Sequence, residues 1–318
     1  MRRREIMNTM TRMKEAPAAP AAKEDSGVMS GAVTAALFAV VCLVWATTWF
    51  GIKVAIESIP PLTAAGVRFL IAFPIILVAA RVMGQPVLFP KKKIAFFAFI
   101  TLFYFSIPYF LMNYGEQFIA PRLASLIFSS MPVFSLIFSV LLLRARVNAP
   151  QLAGIVMSFA GFALIFSKEG AFSQSSSAIG ILALSAAVVM HGFCYVFTKR
   201  YGTDIGVLTY TTLPIGLAGL MMTAAGLAYE HTAWAAVTNR SWLALGYLAL
   251  AAPAGLLSYF YLLKKMPPVV ASFVYLIFPV LSILIDATLA GAGIDFKFIL
   301  FTACILTGFA ITKIATPR

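Results

Sequence analysis

Charge is what this chain has least of. Only 11% of its 318 residues are Asp, Glu, Lys or Arg, 61% are hydrophobic, and the mean hydropathy is +0.94. An ordinary soluble domain has about a quarter charged residues and about half apolar ones, so a soluble globule is excluded and the chain reads as an integral membrane protein. Histidine is nearly absent, with only His191 and His231. The three cysteines, Cys42, Cys194 and Cys304, each lie in an apolar run with no CxxC or Cys/His spacing, which speaks against a metal site or a disulfide framework and for buried small side chains. No phosphate-binding glycine loop, dinucleotide fingerprint or soluble domain is present, so no cofactor is expected. An intramembrane enzyme would need His, Asp or Glu clustered on facing helices, and too few such residues are available. Ten-residue alternating segments are missing too, which removes a β-barrel. The net charge of +13 would suggest nucleic acid in a soluble protein. Here the basic residues sit in short clusters between apolar runs, so they report topology and no nucleic-acid partner is expected.

What the chain does have is a series of apolar runs, each near the ~20 residues that a helix needs to cross a bilayer. They fall at about 30–52, 62–80, 94–114, 123–143, 151–166, 178–198, 207–228, 242–263, 269–290 and 298–313. This predicts an all-α membrane protein of ten transmembrane helices, preceded by a polar, disordered tail over residues 1–29. With the N-terminus inside, eighteen Lys and Arg fall on the inner side and six on the outer side. Both termini are therefore expected in the cytoplasm, in a multi-pass protein of the plasma membrane, which in a bacterium is the inner membrane.

The runs repeat. Residues 121–139, PRLASLIFSSMPVFSLIFS, map onto residues 268–286, PVVASFVYLIFPVLSILID, with an offset of 147 that superposes Pro121 on Pro268, Ala124 on Ala271, Pro132 on Pro279, Phe128 on Tyr275 and Ser135 on Ser282. Lys53, Leu62 and Thr63 map onto Lys199, Leu208 and Thr209 with 146, and the triplet Gly161–Phe162–Ala163 maps onto Gly308–Phe309–Ala310 with 147. A nearly constant offset over the whole length indicates duplication, with one copy at 30–168 and the other at 177–318. Five helices per copy is an odd number, so the copies must be inverted with respect to each other, the architecture of many secondary transporters.

Several stretches carry a resemblance: WATTWFGIK at 45–53, RFLIA at 68–72, the helices of Pro132 and Pro279, and GIVMSFAGFALIF at 154–166. In order and spacing they resemble the EamA-type transporters of the drug/metabolite transporter superfamily, over nearly everything after Gly31. The resemblance implies two inverted five-helix repeats around a central cavity and movement, usually outward, of small metabolites such as amino acids and their derivatives. Two departures stand out. Members often carry a Glu after the fourth and ninth helices, where this chain has Ala145 and Ala292, and often a Trp in the sixth, where it has His191.

Candidate site residues come from polar and aromatic positions that share helical faces. Ser272, Tyr275, Pro279, Ser282 and Asp286 form one stripe on the ninth helix, and Ser106, Tyr109, Asn113 and Glu116 another on the third. Trp45, Thr48 and Trp49 cluster on the first, and His191 and Tyr195 sit at the matching places on the sixth. A cavity between the repeats is therefore expected to use Trp45, Trp49, Tyr109, Asn113, His191, Tyr195, Tyr275 and Ser282 for a small-molecule substrate. Arg68 and Glu116 are expected to form an ion pair or gate on the outer side. Asp286 and His191 are the proton-coupling candidates, the alternatives being a carboxylate that reaches headgroup water and a hydrogen-bonded core histidine. The matched prolines Pro132 and Pro279 are expected as hinges, with plain packing kinks the alternative. Among functions, a channel-like or lipid-handling membrane protein without coupled transport is the alternative to a secondary transporter.

Overall fold

A computed structural model describes residues 31–144, 147–168, 175–265, 274–289, 291, 293 and 296–314. The expected tail, Ala145, Ser272 and Ala292 lie outside the described residues. The packing that follows belongs to the compact unit Ala36–Arg318. Among the described residues the structure is all-helical: α1 Gly31–Ala55, α2 Pro61–Val82, α3 Lys91–Gly115, α4 Pro121–Leu143, α5 Ala149–Lys168, α6 Ser175–Tyr201, α7 Val207–Tyr229, α8 Asn239–Lys265, α9 Val274–Leu289 and α10 Phe296–Ile314. Seven of these are long and apolar enough to cross a membrane, and α5, α9 and α10 contain shorter apolar stretches. Large apolar side chains face outward, as with Val78 at 61%, Leu182 at 69% and Leu243 at 76% exposure, as expected of helices that cross a bilayer. Trp234 and Trp242, both exposed, stack at 6.0 Å near one end, as aromatic residues do at a membrane interface.

Helix ends follow from local sequence. Pro61, Pro121 and Pro150 stand in first turns, where no intrahelical N–H is missed. At α5 a reciprocal cap forms: Gln151 N–H donates to Asn148 Oδ1 and Asn148 N–H donates to Gln151 Oε1, both at 2.9 Å. The start of α2 is capped from another helix. Glu230, just past α7, accepts the N–H of Leu62 at 2.8 Å, the N–H of Thr63 at 2.7 Å and the Thr63 hydroxyl at 2.8 Å. A carboxylate on a helix N-terminus satisfies donors that the helix itself cannot.

Two helix pairs hold the bundle together, and each joins a helix to its counterpart in the other repeat: α2 with α7, and α5 with α10. Small residues let the backbones approach. A Cβ on Gly66 would meet the backbone of Thr223, one on Gly226 would meet Thr63, and one on Gly308 would lie 2.5 Å from the carbonyl oxygen of Gly154. Across the second crossing the Ser158 hydroxyl lies 2.9 Å from Gly154 O and 3.2 Å from Ile305 O, in donating geometry to both.

Two helices are interrupted. In α3 a π-helical turn covers Thr101–Ser106, with the Ser106 hydroxyl donating to Thr101 O at 2.7 Å. Pro108 follows, and a proline both lacks the N–H and pushes the carbonyl four residues earlier out of line, which favours a wider turn there. In α4 the helix breaks at Ser129 and Ser130, whose hydroxyls donate to Leu126 O at 2.7 Å and Ile127 O at 2.6 Å, and restarts at Met131 with Pro132 in its first turn. Pro279, its match, lies inside a continuous α9. The two expected hinges therefore differ: Pro132 adjoins a real break, and Pro279 does not.

Candidate functional site

A cavity of about 370 Å³ runs among eight of the helices, four from each repeat, while no described residue of α5 or α10 lines it. From α1 come Trp45, Thr48 and Trp49, from α2 Arg68 and Phe69, and from α3 Tyr104, Phe105 and Tyr109. Phe128, His191, Tyr195, Tyr210, Tyr275 and Phe278 close the remaining walls. The walls are built from ring contacts. Trp45 packs against Tyr259 at 5.1 Å and Tyr275 at 5.4 Å, Trp49 against Phe128 at 5.0 Å, and Tyr104 against Tyr210 at 5.6 Å. The repeat is visible in them. Trp45 with Tyr275 and His191 with Phe128 are equivalent pairs under the sequence offset, and both have ring centroids 5.4 Å apart.

Of the residues singled out from sequence, Trp45, Trp49, Tyr109, His191, Tyr195 and Tyr275 come together on this lining. Asn113 and Ser282 do not. Asn113 is buried and donates from Nδ2 to Pro61 O at 3.2 Å, tying α3 to the start of α2, and Ser282 is buried away from the cavity. Of the apparent stripe Ser106, Tyr109, Asn113 and Glu116 only Tyr109 reaches the cavity. Asn113, one regular turn farther on, is bonded to the start of α2, while Tyr104, off the stripe and inside the π-turn that shifts the register upstream of Ile107, does reach it.

The expected Arg68–Glu116 ion pair is not made. Arg68 is 4% exposed and turned into the cavity, its guanidinium carbon 5.0 Å from the ring of Tyr109 and 5.4 Å from that of Phe69. Glu116 is fully buried at the end of α3, and neither of its carboxylate oxygens has a hydrogen-bond donor. Arg68 lies along the rings of Tyr109 and Phe69, beyond salt-bridge distance of Glu116, and the two charges act on one another only through space. Near Glu116 the cation is Lys53, whose Nζ donates to the backbone carbonyl of Glu116 and lies 3.3 Å from Gln117 O and 3.4 Å from Ile119 O.

Asp286 lies outside the cavity and 2% exposed, with Oδ2 3.8 Å from Arg122 Nε. The carboxylate is thus largely enclosed beside Arg122 and not on the cavity wall. His191 does line the cavity, with Nδ1 2.9 Å from Ala187 O and its ring 4.9 Å from Tyr104. Cys42 and Cys194 are buried, Cys304 only half so, and all three are free thiols.

Sequence reasoning missed α2, α7 and α8 as walls. Tyr210 and Thr211 of α7 and the small residues Ala251 and Ala252 of α8 lie on helices without a conspicuous polar stripe. A tyrosine deep in an apolar run was the one available signal for Tyr210, and it is a weak one.

Helices crossing their own repeat counterparts, with a ring-lined cavity fed equally by both halves, define a membrane transporter built from inverted repeats. The chain belongs to the EamA-like transporter family, which it matches twice, over residues 32–167 and 178–314. It is 36% identical over 280 residues to Protein PagO of Salmonella typhimurium, covering 88% of this chain and 92% of that one. An uncharacterized transporter of Buchnera aphidicola subsp. Schizaphis graminum is 37% identical over 250 residues, covering 77% and 82%. The inner membrane transporter YedA of Escherichia coli K12 is 28% identical over 267 residues, covering 80% and 82%. A solved structure, titled only as the crystal structure of a protein, superposes with a TM-score of 0.65 over 90% of this chain and 98% of that one. At 19% identity that likeness speaks to the fold alone.

Proposed function

We propose that this chain is a secondary transporter that carries small amphipathic or aromatic metabolites, amino acids or related compounds, outward across the plasma membrane by alternating access of its two repeats. The observation that supports this reading is the cavity itself: aromatic walls with a few polar groups are the usual make-up of a small-molecule site, and here both repeats supply them. The lining continues to Lys199, Ile205 and Val207, at the end that the basic-residue count assigns to the cytoplasm. At the opposite end, Lys53 bonded to the α3–α4 turn and Arg122 paired with Asp286 join the helices. The conformation then reads as inward-facing, with its substrate path to the cytoplasm.

The test is flux into and out of vesicles containing only this protein. Saturable movement of an aromatic amino acid or a related acid is expected. Trp49→Ala, Tyr195→Ala and Tyr275→Ala should each raise the apparent KM without reducing protein in the membrane. Unchanged KM in all three would move the site elsewhere, and non-saturating flux would favour a channel.

A further inference from the structure

Two basic residues line the cavity, the exposed Lys199 and the buried Arg68, and the buried one stands without a hydrogen-bond or ion-pair partner among the described residues. Arg68 makes no hydrogen bond or ion pair with any described residue, and its buried Nε and Nη2 have no acceptor. An arginine cannot discharge itself by losing a proton, so burial alone does not relieve it. An unpaired buried cation is a costly arrangement that native proteins rarely keep. Two aromatic faces lie beside the guanidinium carbon, Tyr109 at 5.0 Å and Phe69 at 5.4 Å, and they favour a cation there without consuming its donors. Arg68 begins the third turn of α2, about 10 Å along the helix from its first residue. That places it at the end of the cavity remote from Lys199. Among the described lining residues none is Asp or Glu, while Arg68 and Lys199 are both basic, so the formal charge on these walls favours an anion.

We infer that Arg68 is the anchor for a substrate carboxylate, and that the cavity selects aryl or alkyl monocarboxylates over organic cations. This rests on the transporter reading of the same cavity, and it adds the charge class of the substrate and the residue that sets it. The guanidinium fork offers two parallel N–H donors to a carboxylate, a geometry that an ammonium lacks. The remainder of the molecule then lies along the rings of Trp49, Tyr104 and Tyr109 toward His191.

The experiment uses the purified full chain in detergent and four probes that share one ring: phenylacetate, phenylacetamide, phenethylamine and phenyl phosphate. Trp45 and Trp49 line the cavity, so binding is read from tryptophan fluorescence. Phenylacetate is expected to bind about tenfold more tightly than the amide, with the amine weakest. Arg68→Lys should keep that order and lose about tenfold in acid affinity, and Arg68→Met should bring the acid down to the level of the amide. Should the methionine variant fail to fold, the wild-type order and the lysine variant decide the matter alone. An amine that binds as well as the acid overturns the inference. So does an acid preference that survives in Arg68→Met, or the binding of no probe at all. Tighter binding of phenyl phosphate than of phenylacetate overturns the carboxylate assignment in favour of a phosphate. Flux in vesicles separates this from the transport reading. Movement of the amine with indifference to the acid leaves transport standing and removes Arg68 as anchor, whereas tight acid binding without flux does the reverse.

Discussion

The hydroxyl of Ser158 reaches the backbone carbonyl of Ile305 at 3.2 Å, and the two residues stand 147 apart in sequence, the same interval that relates the two halves of the chain. Equivalent residues of two copies can touch only where the symmetry axis passes between them. Cys304 and Met157, also 147 apart, repeat the contact one residue earlier. The α5–α10 crossing therefore marks the pseudo-two-fold axis. The α2–α7 crossing behaves in the same way, because the partners of Gly66, Phe69, Phe73 and Thr63 move backward along α7 as the position advances along α2.

This axis makes its glycines sensitive. Gly308→Val should cost about 2–3 kcal/mol and sharply reduce folded protein, since its new side chain would meet both Ser158 and the Gly154 carbonyl in a crossing with no room to relax. Gly246→Ala is the control, because a Cβ there meets nothing within 4 Å. The readout is the yield of monodisperse protein and its thermal midpoint in detergent. Equal behaviour of the two variants would mean that the crossing is not tightly packed in the membrane.

Glu230→Ala should destabilise the fold by about 1–2 kcal/mol through loss of the α2 cap, with Glu230→Gln recovering part of it. Thermal unfolding of the three proteins measures this. No loss in the alanine variant would show that water replaces the carboxylate at no cost.

At the other end of the molecule Asp204 pairs with Lys93 at 3.0 Å, and that bond holds the carboxyl below its ordinary range. A depressed carboxylate contributes stability above its unfolded pKa, about 3.9, and loses it as pH falls through the folded value. The contact between the 202–206 turn and the start of α3 should thus be flat from pH 5 to 8 and loosen only in acid. Because Asp204 is exposed and Lys93 partly so, high salt should weaken it at any pH. Proteolytic nicking of the turn, in wild type and Asp204→Asn, reads out this contact. A change centred between pH 5 and 8 would assign the turn to some other group.

Topology has a direct test. In a background lacking the three native cysteines, a cysteine at His231 should react from outside the cell with a membrane-impermeant maleimide, and one at Gln85 only after permeabilisation. The reverse labelling would invert the orientation inferred from the basic residues.

Most of the architecture is written in the amino-acid order. Hydropathy gives the helices, and the offset gives the inversion, because both depend on averages over many residues. The site is legible only in part, since membership of a lining depends on the rotation of single helices. Trp45, Trp49, His191 and Tyr195 could be grouped because α1 and α6 are regular over those positions. Asn113 was misplaced because it shares the regular helix of Tyr109 but lies one turn farther along, where its amide is taken by the Pro61 carbonyl instead of the cavity. Arg68 and Glu116 looked like partners because a charge inside an apolar run invites the nearest opposite charge. The structure turns the arginine toward two rings instead, a choice made by neighbours from distant parts of the chain.

The crossing at Ser158 and Ile305 also bears on motion. A rocking body moves least at its bearing, and backbones touching at Gly154 and Gly308 leave no space there for lipid or water to accompany a large displacement. On the alternating-access reading proposed above, the α5–α10 pair would be the fulcrum past which the other helices swing, and the outward-open form would be this same structure with the roles of the halves exchanged.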